Sequence, residues 1–462
     1  MSKSTIPRRA YVETYGCQMN ISDGELMEGI LAARGYRIVG APEDADVVLV
    51  NTCAIREHAE QRVLGRVAQL GALKRARPDM IIGVTGCMAQ RLGEDLLERA
   101  GHVDLVMGPD GYRGLPDALD ALGSGTAPPG TRATTRARGR QLAVLDLDRV
   151  ENYQGLEQRR KEGASAWVPI QRGCDHRCTF CIVPYVRGPE KNRDAREILA
   201  EIRGLAERGV SDVTLLGQTV NSWAWQGWTF PRLLRAVARV DGIRRVWFTS
   251  PHPNDVTPRL VEAMAEEPAV CEMLHLPVQS GSNRTLKRML RRYTVERYLE
   301  KVDMVRDAIP GVALTTDVIV GFPGETDAEF EATLDLVRAV RFDDAYTYKY
   351  SPREGTPATR LPPEDFVDPD VAQARLERLI DVCRGIQAEV NAAEVGRVVE
   401  VLVEKEARRE GELLGRSRRN KVVVFPASPE AIGSYRNVRL ERTTGATFSG
   451  SLADEPLLAA TP

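Results

Sequence analysis

Three cysteines within eight residues constrain this chain more than anything else in it. They are Cys174, Cys178 and Cys181, inside residues 167–188, WVPIQRGCDHRCTFCIVPYVRG. An apolar run ends at Gly173, and the thiols follow in a tight turn, an arrangement that encloses a bound group. Thiolates are soft ligands suited to iron–sulfur clusters or zinc. Three of them serve three irons of a four-iron cluster and leave the fourth open to a non-protein ligand. Alternatively, His176 inside the motif completes a zinc site.

The 462 residues allow roughly two to four domains. No apolar run approaches the ~20 residues of a membrane span. The segment MSKSTIPRRA has no apolar signal-peptide core. A cytoplasmic protein is expected, with cysteines as metal ligands or buried thiols rather than disulfides. The formal net charge is −2, so any nucleic-acid contact must come from local basic patches.

Before the cysteine loop, strands are expected at 8–15, 45–51, 80–85 and 103–107, with helices at about 21–34 and 55–74. This alternation implies an open parallel α/β sheet over 8–122. Cys17, Cys53 and Cys87 each fall just past the carboxyl end of one of these strands. Such ends share one edge of a parallel sheet, where ligands bind, so the three cysteines are expected to converge. The plain alternative is three unrelated buried thiols. Convergence points to an iron–sulfur cluster, because zinc usually takes a fourth protein ligand. The Gly-, Pro-, Thr- and Arg-rich stretch 123–140 opens a solvated linker that runs to 160.

Over 161–395 a strand–helix unit repeats six times. Strands are expected at 166–172, 212–216, 245–250, 273–278, 313–320 and 343–350. Helices between them include 195–208, 257–266, 284–290, 295–308 and 327–340. Six such units suit a partial (β/α)6 form of the eight-fold barrel, whose sites lie on the loops after the strands. The first of these loops holds the three cysteines. The others carry polar residues or glycine: Gly217-Gln218, Ser250-Pro251-His252, Gln279-Ser280-Gly281 and 321–325. Cys271 and Cys383 are expected as buried thiols.

A long helix at 371–395 precedes short Val-rich runs over 396–455, which suggest a small antiparallel β-barrel. Arg408, Arg409, Arg416, Arg418, Arg419 and Lys421 gather in and around one hairpin there. Such a cluster binds phosphates without regard to base sequence. The alternative is a merely solvated hairpin.

The C-x3-C-x2-C loop, with Phe180 before its third cysteine, resembles the signature of radical S-adenosylmethionine enzymes. QRGCDHR followed by CTFCIVPYVRG is similar to their methylthiotransferases. YVETYGCQMNISDGE, NTCAIREHA, LLGQTVNS, HLPVQSGSNRTLKRM, TTDVIVGFPGET and YSPREGTPA narrow the resemblance to the tRNA-2-methylthio-N6-dimethylallyladenosine synthase type. It covers residues 9 to about 450, and GRSRRNK resembles the RNA-binding TRAM domain that closes this family.

The resemblance implies that Cys174, Cys178 and Cys181 hold a radical [4Fe–4S] cluster whose open iron binds S-adenosylmethionine. It implies an auxiliary [4Fe–4S] cluster on Cys17, Cys53 and Cys87. It places Phe180, Gly217, Gln218, Gln279, Ser280, Ile319 and Gly321 where the superfamily contacts S-adenosylmethionine, although polar residues and glycines at strand ends are also ordinary turn chemistry. The implied activity replaces C–H by C–SCH3 on dimethylallyl-adenosine beside the anticodon, with S-adenosylmethionine as methyl donor and radical source. The implied partners are the tRNA anticodon arm and an electron donor such as flavodoxin or ferredoxin, acting on a monomer. The same chemistry on a ribosomal-protein aspartate or threonylcarbamoyl-adenosine stands as one alternative, and a non-catalytic iron–sulfur RNA-binding protein as another. Two departures from the family pattern touch no cluster ligand: Asn192 replaces a serine, and Thr219 stands where Asn is common.

Overall fold

A computed structural model describes residues 8–54, 57–124, 132–136, 139–160 and 162–453. The chain begins with one seven-stranded sheet. Its strands are β1 (Arg9–Thr14), β2 (Arg37–Ile38), β3 (Val47–Thr52), β4 (Ile81–Gly86), β5 (Leu105–Met107), β6 (Arg132–Arg136) and β7 (Gly139–Val144), ordered β2-β1-β3-β4-β5-β7-β6. All pairs are parallel except β6 with β7. β3 reads VVLVNT and is buried throughout because both faces of the sheet are covered. Val48 and Val50 point into one apolar core and Val47 and Leu49 into the other, following the two-residue period of a strand. The cover comes from α1 (Gln18–Ala33), α2 (Glu57–Ala76), α3 (Cys87–Leu92), α4 (Glu94–Arg99) and α5 (Leu115–Ser124).

The stretch expected as a solvated linker contributes β6 and β7 to this sheet. β7 pairs with β5 through Leu142 and Ala143, both buried. The polar composition of 123–140 hid an edge hairpin whose anchoring residues lie just beyond it.

The central unit contains β8 (Ser165–Pro169), β9 (Gln171–Arg172), β10 (Lys191–Asn192) and β11 (Asp212–Leu216). A small hairpin follows, β12 (Ala224–Trp225) with β13 (Trp228–Thr229), and then β14 (Arg245–Phe248), β15 (Met273–His275), β16 (Ala313–Val320) and β17 (Asp344–Lys349). β8, β11 and β14 form one parallel sheet, and β15, β16 and β17 form another. A bridge between Val246 and Val270 links the two into an arc of six strands. Among the described residues, β8 and β17 do not pair, so the barrel is partial.

After the one-turn α6 (Val183–Val186), helices alternate with these strands: α7 (Ala195–Glu207), α8 (Phe230–Ala238), α9 (Pro258–Glu266), α10 (Asn283–Arg288), α11 (Val295–Ala308) and α12 (Asp327–Val340). α7 buries Ile198, Leu199, Ile202 and Leu205 along one stripe, and Asp194 caps it by accepting from the Arg196 N–H. A capping box of Thr326 and Glu329 starts α12.

The long α13 (Pro369–Ala392) leads to β18 (Val398–Glu406), β19 (Glu412–Ser417), β20 (Val422–Pro426), β21 (Tyr435–Thr443) and β22 (Thr447–Leu452), closed in the order β18-β19-β20-β22-β21. Val401, Val403, Leu413, Val423, Phe425 and Phe448 fill this small barrel. Four of its pairs are antiparallel, as expected, while β20 and β22 run parallel. Among the described residues, no helix is long and apolar enough to cross a membrane.

Candidate active site

The carboxyl ends of β1, β3 and β4 are adjacent, and a cysteine follows each. Cys17 caps α1, Cys53 follows β3 directly, and Cys87 is the first residue of α3. The turns touch closely. Gly86 has φ +92°, and a Cβ there would lie 2.5 Å from the Thr52 carbonyl oxygen. Gly16 has φ +135°, and its Cβ would lie 2.5 Å from the Cys53 Cβ. Glycine alone supplies both the backbone conformation and the space.

The Cys53 thiol donates a hydrogen bond to Cys17, which lowers Cys17 to about 6, with help from the Arg187 charge and against burial. Asn20 accepts from the Cys17 thiol at 3.1 Å and donates to the Thr52 carbonyl at 2.9 Å. Burial pushes the Cys87 thiol up, opposed by Arg187, whose Nε donates to its Sγ at 3.1 Å.

The second trio lies at the end of the first barrel strand. Its i, i+4, i+7 spacing would also suit one helix face, yet residues 174–182 form no helix and wrap as a loop. Cys174 Sγ lies 3.2 Å from Thr219 Oγ1, and Arg291 Nη1 donates to Cys178 Sγ at 3.4 Å. Burial and then the neighbouring Cys178 push Cys181 up to about 12.

Both trios open on one cavity of about 300 Å³. Cys17 and Cys87 line it from the sheet edge, and Cys174, Cys178 and Cys181 from the loop, with Cys53 buried behind them. Among the described residues, a single group of His, Cys, Asp or Glu has three ligand atoms all within 4.8 Å of one another: His176, His252 and Asp255. Neither cysteine trio does so. A tetrahedral zinc would hold its sulfurs about 3.8 Å apart. An all-sulfur set of three suits a four-iron cluster with one open iron.

His176 turns away from the zinc arrangement weighed above. Its Nε2 lies 3.3 Å from Asp255, and its ring stacks on His252 at 3.9 Å. Burial lowers His252 to about 2. Its Nδ1 accepts from the Asn254 N–H, which leaves Nε2 as the protonated nitrogen, buried at the cavity and without a partner.

Of the residues assigned to S-adenosylmethionine, Phe180, Gly217, Gln218 and Gln279 line the cavity. Gln218 Oε1 is buried there without a donor. Gln279 adopts φ +71° and ties to β16 on both sides, donating to the Asp317 carbonyl and accepting from the Ile319 N–H. The other three sit behind this wall. Ser280 accepts from the Ser282 N–H, Ile319 packs beside Phe322 and Phe180, and the Gly321 N–H donates to Glu325. The departures also have places. Thr219 contacts Cys174 as above, and Asn192 Nδ2 donates to Glu190, whose other oxygen accepts from Ser222.

The basic hairpin divides. Arg418 pairs with Glu272 at 2.8 Å and donates to the Pro268 and Val270 carbonyls, Arg419 pairs with Glu394, and Lys421 pairs with Asp343 at 2.8 Å. These three fasten the small barrel to the central unit and α13. Arg416 pairs with Glu404 within its own barrel. Arg408 and Arg409 are exposed and face solvent.

Sequence reasoning passed over Arg187, Arg291 and His252 as site residues. Arg187 stood in the quoted run YVRG and His252 at a strand end, whereas nothing local marks Arg291.

Three family models match in series: Uncharacterized protein family UPF0004 over residues 9–108, Radical SAM superfamily over 168–337, and TRAM domain over 392–452. The radical S-adenosylmethionine methyltransferase TsrM from Kitasatospora setae shares the fold at a TM-score of 0.60 and 16% identity, covering 76% of this chain and 77% of its own. OxsB, a cobalamin-dependent S-adenosylmethionine radical enzyme, does so at 0.54 and 12%, covering 81% and 56%. A six-strand arc with its cysteine loop on the first strand thus defines a radical S-adenosylmethionine enzyme.

The tRNA-2-methylthio-N(6)-dimethylallyladenosine synthase of Chloroherpeton thalassium is 44% identical over 447 residues, 96% of each chain. That of Cereibacter sphaeroides is 44% identical over 451 residues, 97% of this chain and 99% of the relative. The chain belongs to the tRNA-2-methylthio-N(6)-dimethylallyladenosine synthase family.

Proposed function

We propose that this enzyme converts N6-dimethylallyladenosine beside the tRNA anticodon to its 2-methylthio form, with S-adenosylmethionine as methyl donor and radical source. The observation that carries this is the single cavity onto which both cysteine trios open. Cys174, Cys178 and Cys181 would hold one [4Fe–4S] cluster, and Cys17, Cys53 and Cys87 a second. When bound and reduced, the loop cluster would supply the one electron that cleaves S-adenosylmethionine to methionine and a 5′-deoxyadenosyl radical, a species able to take the unactivated C2 hydrogen.

The chain's own groups bind and orient. Gln218 offers its unpartnered oxygen to a donor such as an amino group, while Phe180 and Gly217 wall the cavity beside it. His252 offers one fixed N–H to an acceptor. His275 and Asp317, 3.4 Å apart, supply a polar wall from β15 and β16. Ser280, Ile319 and Gly321 support the wall from behind. Arg408 and Arg409 would meet tRNA phosphates, while Arg416, further along β19, is paired with Glu404. A loop base can be splayed into such a pocket at low cost. We assign the auxiliary unit to 8–144, since β6 and β7 complete its sheet, the barrel to 161–395 and the RNA-binding barrel to 396–455, with 145–160 joining the first two. A flavodoxin- or ferredoxin-type donor and a monomeric, cytoplasmic enzyme complete the proposal.

The test is mass spectrometry of tRNA nucleosides from a strain lacking the gene. The 2-methylthio nucleoside should vanish, N6-dimethylallyladenosine should accumulate, and the gene should restore the product. An unchanged 2-methylthio-dimethylallyladenosine level overturns the substrate assignment, and loss of 2-methylthio-threonylcarbamoyl-adenosine instead would name the alternative.

A further inference from the structure

Arg187 belongs to the barrel's cysteine loop, yet its guanidinium serves the sheet. It lines the cavity while only 3% exposed. Nε donates to Cys87 Sγ at 3.1 Å, and Nη2 pairs with Asp23 of α1 at 2.7 Å. The other Asp23 oxygen pairs with Arg172 at 2.7 Å, and Asp23 is wholly buried. Arg172 ends β9, just before the cysteine loop, and Arg187 follows α6, just after it. One carboxylate of the sheet unit therefore grips both flanks of that loop. Two guanidinium groups face one carboxylate, which leaves a surplus positive charge buried beside three thiols. Arg187 Nη1 is also buried without a partner. A buried charge demands a counter-charge: Asp110 also acts on both arginines but is itself paired with Lys191 at 2.7 Å, so what remains in contact with Arg187 is the sheet-edge sulfur set, through Cys87.

We propose that Arg187 is a positioning residue that lays this surplus charge on the sheet-edge trio, fixes Cys87, and raises the reduction potential of the cluster held there. Hydrogen bonds to ligand sulfurs and nearby positive charge favour the reduced, more negative state. Burial enlarges the effect. The loop trio has its own donor, Arg291 on Cys178, so the two sites are tuned separately although a single loop residue reaches across from one to the other.

This inference rests on the cluster assignment above. The test uses the full chain carrying C174A, C178A and C181A, so that one cluster remains, reconstituted anaerobically with iron and sulfide. Redox titrations followed by electron paramagnetic resonance compare this protein with Arg187→Met, Arg187→Lys and Arg291→Lys versions. Iron content should be retained in all. Arg187→Met should lower the reduced-to-oxidised ratio at a fixed poise about tenfold, equivalent to about 59 mV for one electron. Arg187→Lys should fall between, and Arg291→Lys should not move it. An unmoved potential in Arg187→Met at full iron content overturns the proposal. So does loss of folding in Arg187→Met and Arg187→Lys alike, which would make the residue a structural clasp only. Failure of the triple variant itself to bind iron strikes the cluster assignment instead.

Discussion

Single residues carry consequences that burial makes measurable. Asp212 opens β11 and is 7% exposed, and burial raises its carboxyl to about 6, partly offset by the Trp247 Nε1–H donated at 2.9 Å and by Arg245. A folded-state value above the unfolded one near 3.9 means that the fold favours the protonated form. That contribution is complete below about pH 4 and lost as pH rises through 6. Asp212→Asn should therefore raise the melting temperature at pH 7.5, with a gain on the order of 2–3 kcal/mol, and the gain should shrink towards pH 5. A pH-independent difference between variant and parent would contradict this. The strand-end cysteines were legible in the sequence because apolar runs mark where each strand stops. The inward arginines were not. Arg187, Arg245 and Arg291 are all nearly or fully buried, but what turns them inward is a distant carboxylate, carbonyl or sulfur that only the tertiary fold delivers.

At the scale of elements, the two turns that flank β19 show what a charge count conceals. Six basic residues close in sequence look like one phosphate-binding patch, yet Arg418, Arg419 and Lys421 between β19 and β20 are paired with Glu272, Glu394 and Asp343, while Arg408 and Arg409 between β18 and β19 face water. Arg408→Glu with Arg409→Glu should weaken tRNA binding and flatten its salt dependence by about two units of slope. Arg418→Ala should instead lower the melting temperature and leave the salt slope unchanged, since its partners are Glu272 and backbone carbonyls. Filter binding at several salt concentrations, with a thermal melt of each variant, separates the two roles. The six barrel strands were legible from their apolar runs, and the helices from their 3.6-residue stripes. The hairpin of β6 and β7 was hidden because an edge strand needs few apolar residues, and its Arg and Thr side chains resemble those of a linker.

For the whole molecule, the seam between sheet and barrel rests on buried charge. Asp23 joins Arg172 and Arg187, and Lys191 joins Asp110 at 2.7 Å with both side chains almost wholly buried. Asp23→Asn leaves two guanidinium groups without their anion, which costs on the order of 3–5 kcal/mol. Calorimetry should show the sheet unit melting ahead of the rest, and a single unshifted transition would contradict the clasp. The two sulfur sets at this seam also differ in how much chain each must gather. Cys174 and Cys181 are seven positions apart, whereas Cys17 and Cys87 are seventy apart and, with Cys53, follow three different strand ends. Tenfold more chain to close costs roughly 2 kcal/mol more entropy. The loop set is thus gathered by a local turn of the chain, while the other set exists only once β1, β3 and β4 lie side by side, so the sheet-edge site reports on the fold of a whole unit and the loop site on that of one segment.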